Sequence, residues 1–205
     1  PIREELLTGD RERARKTLGL MAGRMTVLIL GGSQGAHRLN EALIDALPRL
    51  GALRGKVQFL HATGTRDLEA VQRAYAAWGG CARAAAFFEE MASVYAATDL
   101  AVCRAGATTI AELAALGKPA VLVPYPHAAN DHQRWNAAVL VEAGGAEMIG
   151  DQDLSGEGLA EAIGTVMGQS ERLQVMGAKA RSLGRPDAAQ SIADLLIALT
   201  ERRRG

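Results

Sequence analysis

Cysteine is nearly absent: the 205 residues hold only Cys81 and Cys103, with no C-x-x-C spacing. That excludes a disulfide framework and a zinc knuckle, and makes a reducing cytoplasm the expected compartment. Aromatic residues make up 4%, too few for the stacking platforms that grip single-stranded nucleic acid. Net charge is lacking as well. Lys plus Arg and Asp plus Glu stand at 23 each, so no overall field draws the chain to nucleic acid or to an anionic membrane. No apolar run reaches the roughly 18 residues that a membrane-spanning helix needs. The opening PIREELLTGD carries no apolar signal-peptide core. What remains is globular in character, with 48% apolar and 22% charged residues, enough to build a core in one large domain or two small ones.

The apolar pattern alternates between short runs and helical spacing. Strands are expected over 26–30, 57–60, 84–88, 100–103, 120–123 and 146–149. The run at 84–88 is the weakest, because alanine is a poor strand former. Between them, Leu39, Leu43, Ile44 and Leu47 share one helical face, and Pro48 is expected to end that helix. Further helices are expected over 67–78, 91–97, 109–116 and 131–142, and from Leu154 onward with breaks at Gly168 and at Gly184-Arg185-Pro186. Alternating strands and helices predict right-handed βαβ units: an α/β, Rossmann-like, doubly wound parallel sheet of about six strands.

In such a sheet ligands bind beyond the carboxyl ends of the strands. Gly31-Gly32-Ser33-Gln34-Gly35 falls there, between a strand and a helix start. Outward-facing amides and the helix dipole favour an anion, and the Ser33 hydroxyl adds a donor for phosphate. A plain structural turn is the bland alternative. The turn is not a Walker A loop, since no Gly-Lys-Ser/Thr follows. It is a poor dinucleotide fingerprint too, because the second strand ends in Phe59-Leu60-His61 with no acidic residue for a ribose. Gly31-x-Ser33-x-Gly35 does match a serine-hydrolase nucleophile elbow, with Asp99 and His132 following in the right order. Against that reading, little chain precedes the strand, and Asp99 falls at the wrong end of its own strand.

Cys103-Arg104-Ala105-Gly106-Ala107-Thr108-Thr109-Ile110-Ala111-Glu112 repeats the strand, glycine turn and helix start. Thr109-x-x-Glu112 reads as a capping box, with Thr109 accepting from the amide of residue 112 and Glu112 reaching back. A carboxylate there is equally suited to accept from two vicinal ribose hydroxyls.

The segments GGSQGAHRLN, FFEEM, DLAVCRAGATTIAELAALGKPAVLVPYPHAANDHQRWNA and RPDAA together resemble the C-terminal domain of the MurG family. These are the UDP-N-acetylglucosamine transferases that convert lipid I to lipid II in bacterial peptidoglycan synthesis. The resemblance runs from Arg3 to about Leu199. It implies the C-terminal half of a GT-B glycosyltransferase, with an interdomain segment and lead-in helix over 1–24 and a donor-binding domain over 25–205. Pro1-Ile2-Arg3, without an initiator Met, looks like the family's interdomain stretch, so the N-terminal acceptor domain is expected to lie outside this chain. Carried over by position, Ser33 meets the donor phosphates and the Phe88 backbone reads the uracil edge. Ala107, Thr108, Thr109, Ile110, Ala111 and Glu112 line the diphosphate and ribose, with Glu112 on the ribose hydroxyls. His132 and Gln133 meet the sugar hydroxyls, and Arg3 sits near the phosphates at the hinge. Relatives often have Ser at Ala105 and Leu or Ser at Thr108, and some have Gln at His132.

The resemblance implies inversion at the sugar carbon without a metal or cofactor. It places no catalytic residue in this chain: the base, the acceptor site and the membrane-facing patch belong to the other domain. The expected partners are UDP-N-acetylglucosamine and lipid I, at the cytoplasmic side of the bacterial inner membrane, and no nucleic acid. This chain alone is expected to be soluble and inactive. Another GT-B transferase, a UDP-sugar epimerase and a nucleotide-binding module without chemistry stand as alternatives beside the hydrolase. His37 and His61 are expected to be surface or capping residues, and Cys103 a small buried hydrophobe. His127 and His132 lack the spacing of a helical metal pair. Trp78 and Trp135 are expected to pack helices on the sheet, and Arg104 to meet a phosphate, solvent or an Asp.

Overall fold

In the computed structural model, residues 1–32 and 35–202 are described. Six strands run β1 Met25–Leu30, β2 Val57–Ala62, β3 Ala82–Ala85, β4 Leu100–Cys103, β5 Ala120–Leu122 and β6 Ala146–Met148. They form one sheet in the order β3-β2-β1-β4-β5-β6, every neighbour pair parallel. The chain builds outward from β1 to β3, then returns to the centre and builds outward again. This is the expected doubly wound, Rossmann-like sheet.

Eight helices cover its faces among the described residues: α1 Arg11–Thr17, α2 His37–Ala46, α3 Leu68–Trp78, α4 Met91–Ala97, α5 Ala107–Leu116, α6 His132–Glu142, α7 Gly156–Met167 and α8 Ser170–Ser182; a ninth, α9 Ala188–Arg202, is exposed and joins neither core. Because successive side chains of a strand point to opposite faces, each central strand feeds two separate cores. Val27, Ile29, Val57, Phe59, Leu100, Val102 and Val121 pack against α2, α3 and α7 through Leu39, Leu43, Val71, Trp78 and Ile163. Leu28, Leu60, Ala101, Cys103, Ala120 and Leu122 pack with Ala14, Tyr95, Leu113, Leu140 and Ala180 of α1, α4, α5, α6 and α8. The first twenty residues belong to this second core: Leu6, Ala14 and Leu18 are buried in it. Burial on both faces explains why the strands read as nearly continuous apolar runs.

α2 ends at Ala46, directly before Pro48 as expected, and Pro48 sits in the first turn of a 3-10 helix, Leu47–Leu53, where its missing N–H costs nothing. Two expectations are corrected. The third strand is Ala82–Ala85 rather than 84–88, and Phe87 is exposed beyond it. Trp78 is buried edge-on to Phe59, but Trp135 is 71% exposed and packs nothing onto the sheet. No described helix is long and apolar enough to cross a membrane.

Candidate functional site

β1 and β4 are neighbours, yet the connections leaving them run to opposite sides of the sheet. A crevice opens at their carboxyl ends, as the strand order requires. Into it project Gly31, Gly32 and Gly35 after β1, Arg104, Gly106 and Thr109 after β4, Pro124–His127 after β5, and Gly150–Asp153 after β6. The cleft holds about 1160 Å³, somewhat above the usual range for a small-molecule site.

The turn after β1 is closed by glycine for a steric reason. Gly35 has φ +77°, and a Cβ there would lie 2.3 Å from the Thr63 carbonyl oxygen. Ser33, the expected phosphate donor, lies outside the described residues. Behind the turn runs a polar chain that sequence reading missed. Asp67 accepts from Asn40 at 2.8 Å and holds His37 Nδ1 at 2.9 Å. Asn40 also donates to the Thr63 carbonyl, which turns its Oδ1 to His61 Nε2 at 2.9 Å. His61 is therefore not a surface residue: it is fully buried, and burial drives its pKa down to about 3 against the pull of Asp67. His37, expected to be a surface or capping residue, lines the cleft.

A second cluster lies across the cleft. The Arg104 guanidinium meets Asp151 at 2.6 Å and the Val123 and Pro124 carbonyls at 3.1 Å. Arg38 approaches the other Asp151 oxygen at 3.1 Å, and Arg104 lies over the Tyr125 ring. Arg104 has thus found an Asp partner. Asp151 carried no motif that marked it.

Of the expected donor residues among those described, Thr109 and Gln133 line the cleft, and Arg3, Phe88, Glu112 and the others do not. α5 begins at Ala107 with Gly106 as its cap, and no side chain caps it. The capping-box reading is therefore overturned: Thr109 is in the first turn rather than at the cap, and Glu112 lies beyond the orphan amides. The Glu112 carboxylate instead accepts from the Tyr95 hydroxyl at 2.8 Å and is 8% exposed. Ala107, Thr108 and Ala111 are exposed, Thr109 lines the cleft, and Ile110 and Phe88 pack half-buried on the second core. Arg3 pairs with Glu5 at 3.0 Å on the surface and lies near enough to Tyr95 to act on its phenol. Gln133 lines the cleft, its Oε1 held by the Ala105 and Tyr125 amides at 3.1 and 3.0 Å. His132 is not among the residues lining it; it is exposed, and its Nδ1 donates to the Ala129 carbonyl at 2.8 Å. Cys103 is buried at the end of β4, and burial pushes its thiol up to about 12.

Asp99 does not suit the hydrolase reading: it precedes β4 at the amino end of the strands, away from the cleft, where it accepts from the Thr26 amide and from Arg11.

Residues 26–192 match the glycosyltransferase family 28 C-terminal domain. A UDP-N-acetylglucosamine--N-acetylmuramyl-(pentapeptide) pyrophosphoryl-undecaprenol N-acetylglucosamine transferase of Anaeromyxobacter sp. (strain K) is 48% identical over 89% of this chain and 48% of its own. The protein of the same name from Geobacter sulfurreducens is 44% identical over 98% and 58%. Among solved structures, Acinetobacter baumannii MurG superposes with a TM-score of 0.79 at 35% identity, covering 93% of this chain and 54% of that one. These matches bear out the resemblance drawn from the segments quoted above. A UDP-GlcNAc 2-epimerase from Neisseria meningitidis shares the fold alone, at 11% identity and a TM-score of 0.64 over 91% and 48%. The chain spans about half the length of the curated relatives it matches.

Proposed function

The chain belongs to the glycosyltransferase family 28 C-terminal domains, and from that membership we propose that it is the donor-binding part of a MurG-type transferase. It takes UDP-N-acetylglucosamine and presents the sugar to lipid I, so that the bond from the sugar carbon to the β-phosphate breaks as lipid II forms with inversion. The observation that carries this reading is the crevice where the Gly31–Gly35 turn and the start of α5 face one another across β1 and β4. Helix-end amides from both sides suit a diphosphate that gains charge as the bond breaks. Ser33 and Thr109 are proposed for the phosphates, Ala107, Thr108, Ile110 and Ala111 for the wall along diphosphate and ribose, and the Phe88 backbone for uracil. Glu112 is proposed for the ribose hydroxyls and Arg3 for the phosphates from the hinge side. Gln133, whose oxygen is already occupied, has its amide nitrogen for a sugar hydroxyl, and His132 flanks it.

Transfer also needs an acceptor hydroxyl in line and a base to take its proton. Both are proposed to come from outside these residues, as is contact with the membrane that carries the undecaprenyl acceptor. The whole enzyme would then work at the cytoplasmic face of the bacterial inner membrane. Calorimetry of the 205-residue chain against UDP, UDP-N-acetylglucosamine, ADP and NAD tests the donor reading. Preference for the two uridine ligands is expected; preference for NAD or ADP would overturn it.

A further inference from the structure

α4 contributes one buried polar group to the region behind α5. Tyr95 is 1% exposed, and its hydroxyl makes one hydrogen bond among the described residues, to Glu112 Oε2 at 2.8 Å. The other carboxylate oxygen, Oε1, accepts no hydrogen bond among the described residues. Burial, followed by the field of the Glu112 carboxylate and of Cys103, raises the Tyr95 phenol far above its ordinary range, with Arg3 opposing weakly. Tyr95 therefore stays a neutral donor, and it can hold a carboxylate but cannot replace one.

We propose that Tyr95 is a positioning residue: its hydroxyl locks Glu112 Oε2 and leaves Oε1 as the oxygen offered to the ribose hydroxyls of the donor. This deepens, and rests on, the assignment of Glu112 to the ribose. An unrestrained Glu side chain loses rotamer freedom when a ligand fixes it. Here that freedom is already spent when the protein folds, so the ligand meets a preorganised acceptor. The anchoring is also one-sided. With Oε2 engaged, the two ribose hydroxyls converge on one oxygen, which makes recognition more demanding of ribose geometry than a free carboxylate would be.

The test compares the affinity of the chain for UDP and for 2′,3′-dideoxy-UDP in wild type, Tyr95→Phe, Glu112→Gln and the double variant. Tyr95→Phe keeps the packed ring and removes only the donor. It should weaken UDP about tenfold, the scale of a hydrogen bond to a charged group, and change dideoxy-UDP less than twofold. A merely structural role would move both ligands together, so the ratio of the two affinities is the readout. The double variant should lose no more UDP affinity than Glu112→Gln alone. If Glu112→Gln alters the ratio but Tyr95→Phe does not, or if the two losses add, the positioning role is refuted while the ribose assignment stands. If Glu112→Gln weakens both ligands equally, or wild type binds no UDP, the ribose assignment fails and the proposal with it.

Discussion

Replacing Asp151 with Ala should be among the most destabilising single changes near the cleft. Its carboxylate is 5% exposed and faces Arg104, itself 12% exposed, at 2.6 Å. Removing one member of a buried pair typically costs about 3–5 kcal/mol, because the other charge is left uncompensated. Two features lower that figure here. Arg104 keeps the Val123 and Pro124 carbonyls, and the second partner, Arg38, is 53% exposed, where an ion pair is worth about 0–1 kcal/mol. The expected loss is therefore about 2–4 kcal/mol, or about 5–12 °C in Tm for a chain of this length. Urea titration of Asp151→Ala, Arg38→Ala, Arg104→Met and the Arg104→Met/Asp151→Ala pair measures it. Arg38→Ala should cost under about 1 kcal/mol, and the double variant should recover part of the sum of the singles, since no unpaired charge remains. The reasoning is refuted if Asp151→Ala costs less than about 1 kcal/mol, or if Arg38→Ala costs as much.

Two further outcomes are expected. His61 has its folded pKa near 3 against an ordinary 6.5. Below pH 6.5 the unfolded chain takes up a proton that the folded chain refuses, so stability falls with pH down to about 3. By pH 4 this amounts to about 3 kcal/mol, and His61→Gln should flatten that part of the acid limb in pH-dependent urea melts; an unchanged slope would contradict it. Gly35→Ala should cost at least about 2 kcal/mol and weaken UDP-N-acetylglucosamine binding, because both its φ and the Thr63 carbonyl forbid a Cβ. Native-like stability in thermal melts would show that the turn can shift.

The sheet was largely legible in the sequence because its central strands are buried on both faces, so β1, β2, β4 and β5 appear as short, mainly apolar runs. β3 was displaced because Ala82-Arg83-Ala84-Ala85 is an edge strand without β-branched residues, and the nearby Phe87-Phe88 drew the expectation downstream. The glycine turns could be placed from spacing alone. The networks behind them could not: Asn40, His61 and Asp67 meet only because α2, β2 and the start of α3 converge. Asp151 reaches Arg104 from the far side of β5 and β6. The capping box failed for a local reason: the cap is Gly106, three residues before Thr109, so Ala107, Thr108 and Thr109 already lie inside the helix.

The pairing of β1 with β4 joins Val27 to Leu100, closing a loop of about seventy residues, an expensive step in chain entropy. The crevice exists only once that closure is made, since its two walls grow from these two strands. A ligand seated there consequently bridges the two strands whose pairing spans the most chain, and a partly folded chain lacking the β1–β4 pairing has nothing to offer it. Binding should therefore leave the rate of folding almost untouched and appear as slower unfolding, so that donor occupancy sets how long the domain survives once folded.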